Sequence, residues 1–249
     1  MKENRITRCF AKAKAENRPV FVAYLTTGYP TPARSEAEVD RLLGGGGADV
    51  IELGVPFSDP FADGAVIRAA AYRALEQGVT LADVIELAGR VRSRHPEAVI
   101  VVFSYYNVIH SMGVDRFAAA AAAAGVDAVL AVDLPLEERD ELLSPLRGRG
   151  LTMVPLIAPA TPADRIRKIA EGLEDSFLYA ITVNGVTGAR ESLPPELAGR
   201  LDAIRAAVPQ PVVAGFGISS RAQGEKLVAG HADGYVIGSA IVKALGGEI

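Results

Sequence analysis

Eight times along its 249 residues the chain repeats one pattern: a short apolar, β-branched run, a polar break, then a segment with helical spacing. The runs are Val20–Thr26, Asp49–Leu53, Val99–Phe103, Ala128–Val132, Thr152–Ile157, Phe177–Thr182, Pro211–Gly215 and Gly234–Ile237. Most are apolar at successive positions, as a parallel strand buried on both faces requires. Helices are expected over Arg34–Leu43, Ala65–Gln77, Leu81–Ser93, Asp115–Ala124, Leu136–Leu146, Pro162–Leu173, Pro195–Val208 and Ser220–Val228. Parallel strands need crossover helices, and eight such units close into a (β/α)8 barrel, a TIM barrel, with its interior filled by side chains. One domain spanning residues 1–249 follows as the expectation. After the eighth run only Ser239–Leu245 remains before Gly246-Gly247, so the final helix is expected to be short or missing. That leaves the seam between the eighth and first strands open, or filled by another chain.

Hydrophobic residues make up 49% and charged residues 22% of the chain, a balance that fits a sizeable core and excludes disorder or a coiled coil. The formal net charge of −4 carries no basic stripe for nucleic acid. Cys9 is the single cysteine, so no intrachain disulfide and no cysteine zinc cluster can form, and a cytoplasmic location is the default. His95, His110 and His231 are scattered and read as surface or packing residues. Met1–Arg18 carries charges throughout, unlike a signal peptide, and no uninterrupted apolar stretch reaches the ~20 residues of a membrane span. Gly44–Gly47 precedes a strand and reads as a helix end, not a phosphate loop.

In a barrel of this type the site lies at the C-terminal ends of the strands, with phosphate near strands seven and eight. Strand seven ends in Gly215-Phe216-Gly217-Ile218-Ser219 and strand eight in Gly238-Ser239-Ala240. Glycine there lets backbone N–H groups approach an anion, and Ser239 adds a hydroxyl. The same glycines also suit tight turns. In strand two, Glu52 stands inside an apolar run, where burial raises a carboxyl toward neutrality and fits it for acid–base work. The alternative is a structural glutamate bonded to a hydroxyl of a neighbouring strand. Asp59 and Asp63 follow in a proline-bearing loop, where either a helix cap or a site carboxylate fits. Tyr179 in strand six fits interior packing and substrate contact alike, and Asn184–Gly188 forms a small polar loop beyond it.

The segment Ile51-Glu52-Leu53-Gly54-Val55-Pro56-Phe57-Ser58-Asp59-Pro60, continuing to Ala62-Asp63-Gly64, closely resembles the signature of tryptophan synthase alpha subunits. Gly185–Gly188, Gly215–Ser219 and Gly238–Val242 match in the same order, and the likeness runs from about residue 5 to 243. The resemblance implies a (β/α)8 barrel that cleaves indole-3-glycerol phosphate to indole and glyceraldehyde 3-phosphate without metal or organic cofactor. It also implies a beta-subunit partner, in an alpha2beta2 complex. Carried over by motif, Glu52 is the acid–base group and Asp63 the partner of the indole N–H. Tyr24, Phe103, Leu130, Tyr179 and Thr187 line the substrate. Gly188, Gly217, Gly238 and Ser239 bind phosphate, while Pro56, Asp59 and Asn107 lie at the partner contact.

The chain departs from the family pattern at three places. Tyr24 replaces the usual phenylalanine, Tyr29 a frequent aspartate or similar polar residue, and Val183 a frequent arginine. Three rival readings are a stand-alone lyase that releases free indole, a non-catalytic barrel that activates its partner, and a phosphosugar isomerase or aldolase. Glu52 and Asp63 argue against the second, and the absence of lysine from the strand runs argues against Schiff-base chemistry in the third.

Overall fold

The computed structural model describes residues 3–181, 195–215 and 217–247. Nine parallel strand segments form one sheet: β1 (Val20–Thr26), β2 (Val50–Gly54), β3 (Val99–Ser104), β4 (Ala128–Ala131), β5 (Thr152–Met153), β6 (Leu156–Ile157), β7 (Leu178–Ile181), β8 (Val212–Gly215) and β9 (Gly234–Ile237). Their order, β5-β4-β3-β2-β1-β9-β8-β7-β6, begins and ends on neighbouring pieces of chain. The ring therefore closes through β5 and β6, two halves of the single strand expected over Thr152–Ile157. Val154 still donates to Val129 O, but Pro155 has no N–H to give, so the ladder breaks there. The eight expected strands are the eight staves of the barrel.

Side chains alternate between two apolar clusters. Phe21, Ala23, Leu25, Ile51, Leu53, Ile100 and Val102 pack outward against the helices. Val20, Val22, Tyr24, Val50, Val99, Val101, Leu130, Val154, Val213 and Val236 fill the interior. Pairing across β1, β2 and β3 sets Tyr24 beside Glu52 and Glu52 beside Val101. Because period two continues from Val50, Glu52 joins the inward set.

Eleven α-helices are described: α1 (Arg5–Ala15), α2 (Pro32–Gly44), α3 (Ala65–Glu76), α4 (Leu81–Arg94), α5 (Tyr106–Met112), α6 (Val114–Ala123), α7 (Asp140–Arg147), α8 (Ala163–Ala170), α9 (Pro195–Ala207), α10 (Arg221–Val228) and α11 (Ser239–Gly246). Two of these, α1 and α5, were not expected. α1 starts at a capping box in which Asn4 and Thr7 bond reciprocally, and it buries Ile6, Phe10 and Ala13. Phe10 meets Phe177 at 5.5 Å between ring centroids, which closes the N-terminal end of the barrel. The helix expected over Leu136–Leu146 is a 3-10 turn, Leu136–Glu138, followed by α7. No helix among the described residues is long and apolar enough to cross a membrane.

The N-terminal rim repeats one device. Asp49, Asp127 and Asp233 each precede a strand and accept an N–H from the start of the preceding stave, from Phe21, Ile100 and Val212 at 2.8–2.9 Å. Each also pairs with an arginine: Arg18, Arg92 and Arg205 respectively. At the opposite rim the last helix is short, as expected. Its Gly246 lies under the Tyr29 hydroxyl, so closely that a Cβ there would fall 2.0 Å from it. The outer face of β1 beside β9 is covered by Arg221, which donates to Gly46 O and lies over Phe21.

Candidate active site

Glu52 is fully buried, with 0% of its surface exposed, and among the described residues neither carboxylate oxygen has a hydrogen-bond partner. The alternative of a structural glutamate tied to a neighbouring hydroxyl therefore fails. Burial alone pushes its pKa up to about 8, because the charged form loses solvation that nothing replaces. A protonated carboxyl at neutral pH, inside the barrel and two residues from the strand end, is a proton donor in waiting.

Asp63 stands on the loop that follows β2. That loop starts where Val55 N donates to Phe103 O, and it turns where Asp63 N donates to Pro60 O. The N-cap of α3 is Gly64 and carries no side-chain cap bond, so Asp63 does not cap this helix. Its Oδ2 instead accepts from the Tyr105 hydroxyl at 2.9 Å. Burial raises its pKa, while the Tyr105 bond and the charge of Arg68 work in the opposite direction. The two carboxyl groups thus sit in different settings, one without partners and one held by a donor.

Four of the expected wall residues are described together. Tyr24 and Phe103 meet edge to face at 5.1 Å, and Leu130 is buried in the layer that pairs with Phe103. Tyr179 faces inward from β7; burial first, and then the charge of Glu52, raises its pKa well above the ordinary range. Two glycines make room for these rings. A Cβ at Gly54 would fall 2.4 Å from the Tyr24 hydroxyl, and one at Gly215 would fall 2.3 Å from the Tyr179 ring. Gly215 thus owes its identity to a ring contact, whatever its relation to an anion.

On the side of strands seven and eight, Gly217 has φ +34 and is exposed. Gly238 is the N-cap of α11, with no side-chain cap, and exposed Ser239 is the first residue of that helix. The first-turn N–H groups of α11 lack acceptors within their own helix, which is the chemistry expected of an anion seat. Thr187 and Gly188 lie outside the described residues, as does Val183. Of the three expected partner-contact positions, Asp59 and Asn107 are exposed and Pro56 is buried.

Reading the sequence missed Tyr105. It is buried at 2% exposure, packs against Phe57 and Phe61 at 4.9 and 5.4 Å, and receives Ala62 N at 3.0 Å. The available signal was its place directly after β3, at the C-terminal end of a stave.

A closed parallel barrel with two differently tuned carboxyl groups and a helix start across its mouth defines a (β/α)8 acid–base enzyme. The family profile described as Tryptophan synthase alpha chain matches residues 10–249. Among named relatives, the tryptophan synthase alpha chain of Opitutus terrae is 45% identical over 97% of this chain and 90% of its own length. That of Geobacter sulfurreducens is 46% identical over 96% and 89%. A Mycobacterium tuberculosis tryptophan synthase structure superposes with a TM-score of 0.88 at 35% identity, covering 98% of this chain and 92% of that one. The Legionella pneumophila alpha chain gives 0.85 at 32%, over 97% and 87%. The chain belongs to the tryptophan synthase alpha chain family.

Proposed function

We propose that Glu52 and Asp63 carry the reaction of this family in this chain, which acts as one barrel unit over residues 1–249. The enzyme is a lyase of tryptophan biosynthesis that cleaves indole-3-glycerol phosphate to indole and glyceraldehyde 3-phosphate. Glu52 delivers its proton to indole C3, which makes the ring an electron acceptor. The resulting carboxylate then takes the proton of the side-chain hydroxyl adjacent to C3. The C–C bond electrons return to the ring, the hydroxyl carbon becomes the aldehyde, and indole leaves. Asp63, ionised and held by Tyr105, stabilises the positive charge that develops at the ring N–H. Tyr24, Phe103, Leu130 and Tyr179 form the apolar slot for the ring. The phosphate is bound by Gly188, Gly217, Gly238 and Ser239, and Thr187 contacts the substrate. Remote phosphate binding holds the reacting bond in place.

One observation carries this reading: a wholly buried carboxyl with no partner among the described residues, protonated at neutral pH, on the same rim as a carboxylate that has a donor of its own. The chain pairs with a beta subunit, in an alpha2beta2 assembly, through the rim that bears Pro56, Asp59 and Asn107. It works in the cytoplasm, which suits its single thiol, Cys9. The test is to incubate the purified chain with indole-3-glycerol phosphate, with and without a beta subunit, and follow indole. Equimolar indole and glyceraldehyde 3-phosphate are expected, faster with the partner; no cleavage even with the partner present would refute the assignment.

A further inference from the structure

The reaction described above leaves the hydroxyl of Tyr24 without a task. Tyr24 is the register neighbour of Glu52 on the adjoining stave, and both side chains point into the barrel. Its ring runs along β2 toward the rim, so that the hydroxyl lies against Gly54, two residues past Glu52 on the same face of the strand. The missing Cβ of Gly54 is what leaves room for that oxygen. Its hydrogen-bond contact there is with Thr26 Oγ1 at 3.4 Å, well beyond the ~2.5–3.0 Å of an ordinary hydroxyl bond.

We propose that Tyr24 is a positioning residue for Glu52: once the glutamate has given up its proton, the tyrosine hydroxyl turns from Thr26 to donate to the new carboxylate. This rests on the reading of Glu52 as the group that changes protonation. The need is physical, because a buried carboxylate with no donor is costly and the described residues provide none in the starting structure. The groups facing Glu52 narrow the choice of donor. From β3 and β4 come the apolar Val101, Phe103 and Leu130. Asp63, on the loop after β2, brings negative charge, and the Tyr105 hydroxyl is already committed to it. Arg68 of α3 acts on Asp63, and no charged group among the described residues contributes to the Glu52 shift. Two phenols and the Thr26 hydroxyl remain: Tyr24, the register neighbour of Glu52, Thr26 two residues nearer the rim on the same strand as Tyr24, and Tyr179 on β7 across the interior, on which the Glu52 charge also acts. Adjacency favours Tyr24. The hydroxyl gives up only a long contact in making the switch, and it keeps its own proton, since burial and both carboxyl groups raise its pKa.

Tyr24→Phe tests this while keeping the ring. In the ligand-free protein, the Glu52 carboxylic-acid stretch is titrated by infrared difference against Glu52→Gln. In the enzyme with beta subunit, kcat and KM for indole release are followed over pH. Losing the donor favours the protonated acid, so the infrared midpoint and the alkaline limb of kcat should both rise by about one pH unit, a tenfold change in the ionisation equilibrium. KM should stay within about twofold. An unmoved or lowered midpoint in Tyr24→Phe overturns the inference, as does a rise seen in Tyr179→Phe alone. The two readings fail separately: an active Glu52→Gln enzyme removes the acid–base role, whereas an inactive one beside an unmoved Tyr24→Phe midpoint removes only the Tyr24 role.

Discussion

The Tyr105 hydroxyl donates to Asp63 Oδ2 at 2.9 Å while accepting the backbone N–H of Ala62 at 3.0 Å, so one phenol fixes both the carboxylate and the loop that carries it. A bond of this kind to a charged acceptor contributes roughly 1.5–3 kcal/mol. It also favours the ionised form of Asp63, the form that faces a developing positive charge.

Tyr105→Phe should therefore lower kcat by about ten- to a hundredfold. The thermal midpoint should change little, because Phe57 and Phe61 still pack on the ring. Steady-state kinetics beside a melting curve checks both, and a kcat within twofold of the parent contradicts the role.

Glu52 makes stability depend on pH. The folded protein holds this proton to about pH 8, whereas the ordinary glutamate value is 4.5. Between those values the folded state binds more protons than the unfolded chain. The contribution of Glu52 to stability is thus full below about pH 4.5 and falls as pH rises toward 8. Glutamine has no proton to lose, so Glu52→Gln should be more stable than the parent at pH 8.5, by about 4 kcal/mol, with the gap closing toward pH 4.5. Denaturant melts at the two pH values measure the difference.

Gly215→Ala places a methyl group 2.3 Å from the Tyr179 ring. Overpacking of this sort costs about 1–3 kcal/mol. Since Tyr179 must move from the slot, KM should rise about tenfold, on the order of the same energy. Gly199→Ala serves as the control: it lies within α9, nothing stands within 4 Å of an added Cβ, and a gain of ~0.5–1 kcal/mol is expected.

The N-terminal rim should separate stability from activity. The Asp127 side chain is 8% exposed and binds Arg92, Arg5 and the Ile100 N–H. Asp127→Ala should cost roughly 3 kcal/mol by leaving Arg92 without its charge partner. At temperatures where the variant stays folded, kcat should be unchanged, because this rim lies at the opposite end of the staves from the site.

Much of the barrel was legible because its strands are buried on both faces and therefore read as unbroken apolar runs. Glu52 stood out for the same reason, as a carboxyl inside such a run. What escaped was long-range or local in another sense. Tyr105 earns its role from a contact 42 residues away in sequence, and neighbouring Tyr106 looks no different on paper. α1 is strongly charged along its outer face, which hides the spacing of Ile6, Phe10 and Ala13. The gap between β5 and β6 falls at Pro155, a residue that an apolar run conceals. The capping alternative for Asp63 was reasonable by composition, and only the Tyr105 contact and the bare Gly64 cap decide against it.

The central claim is that Glu52 supplies the proton on which cleavage depends. The direct measurement is the rate of indole release from indole-3-glycerol phosphate by Glu52→Gln with its beta subunit, beside the affinity for a non-cleavable phosphate analogue. General acid–base catalysis is worth about 10²–10⁴-fold, so release should fall by that much while the affinity stays within a few-fold. Release within about tenfold of the parent, at unchanged affinity, would contradict the account.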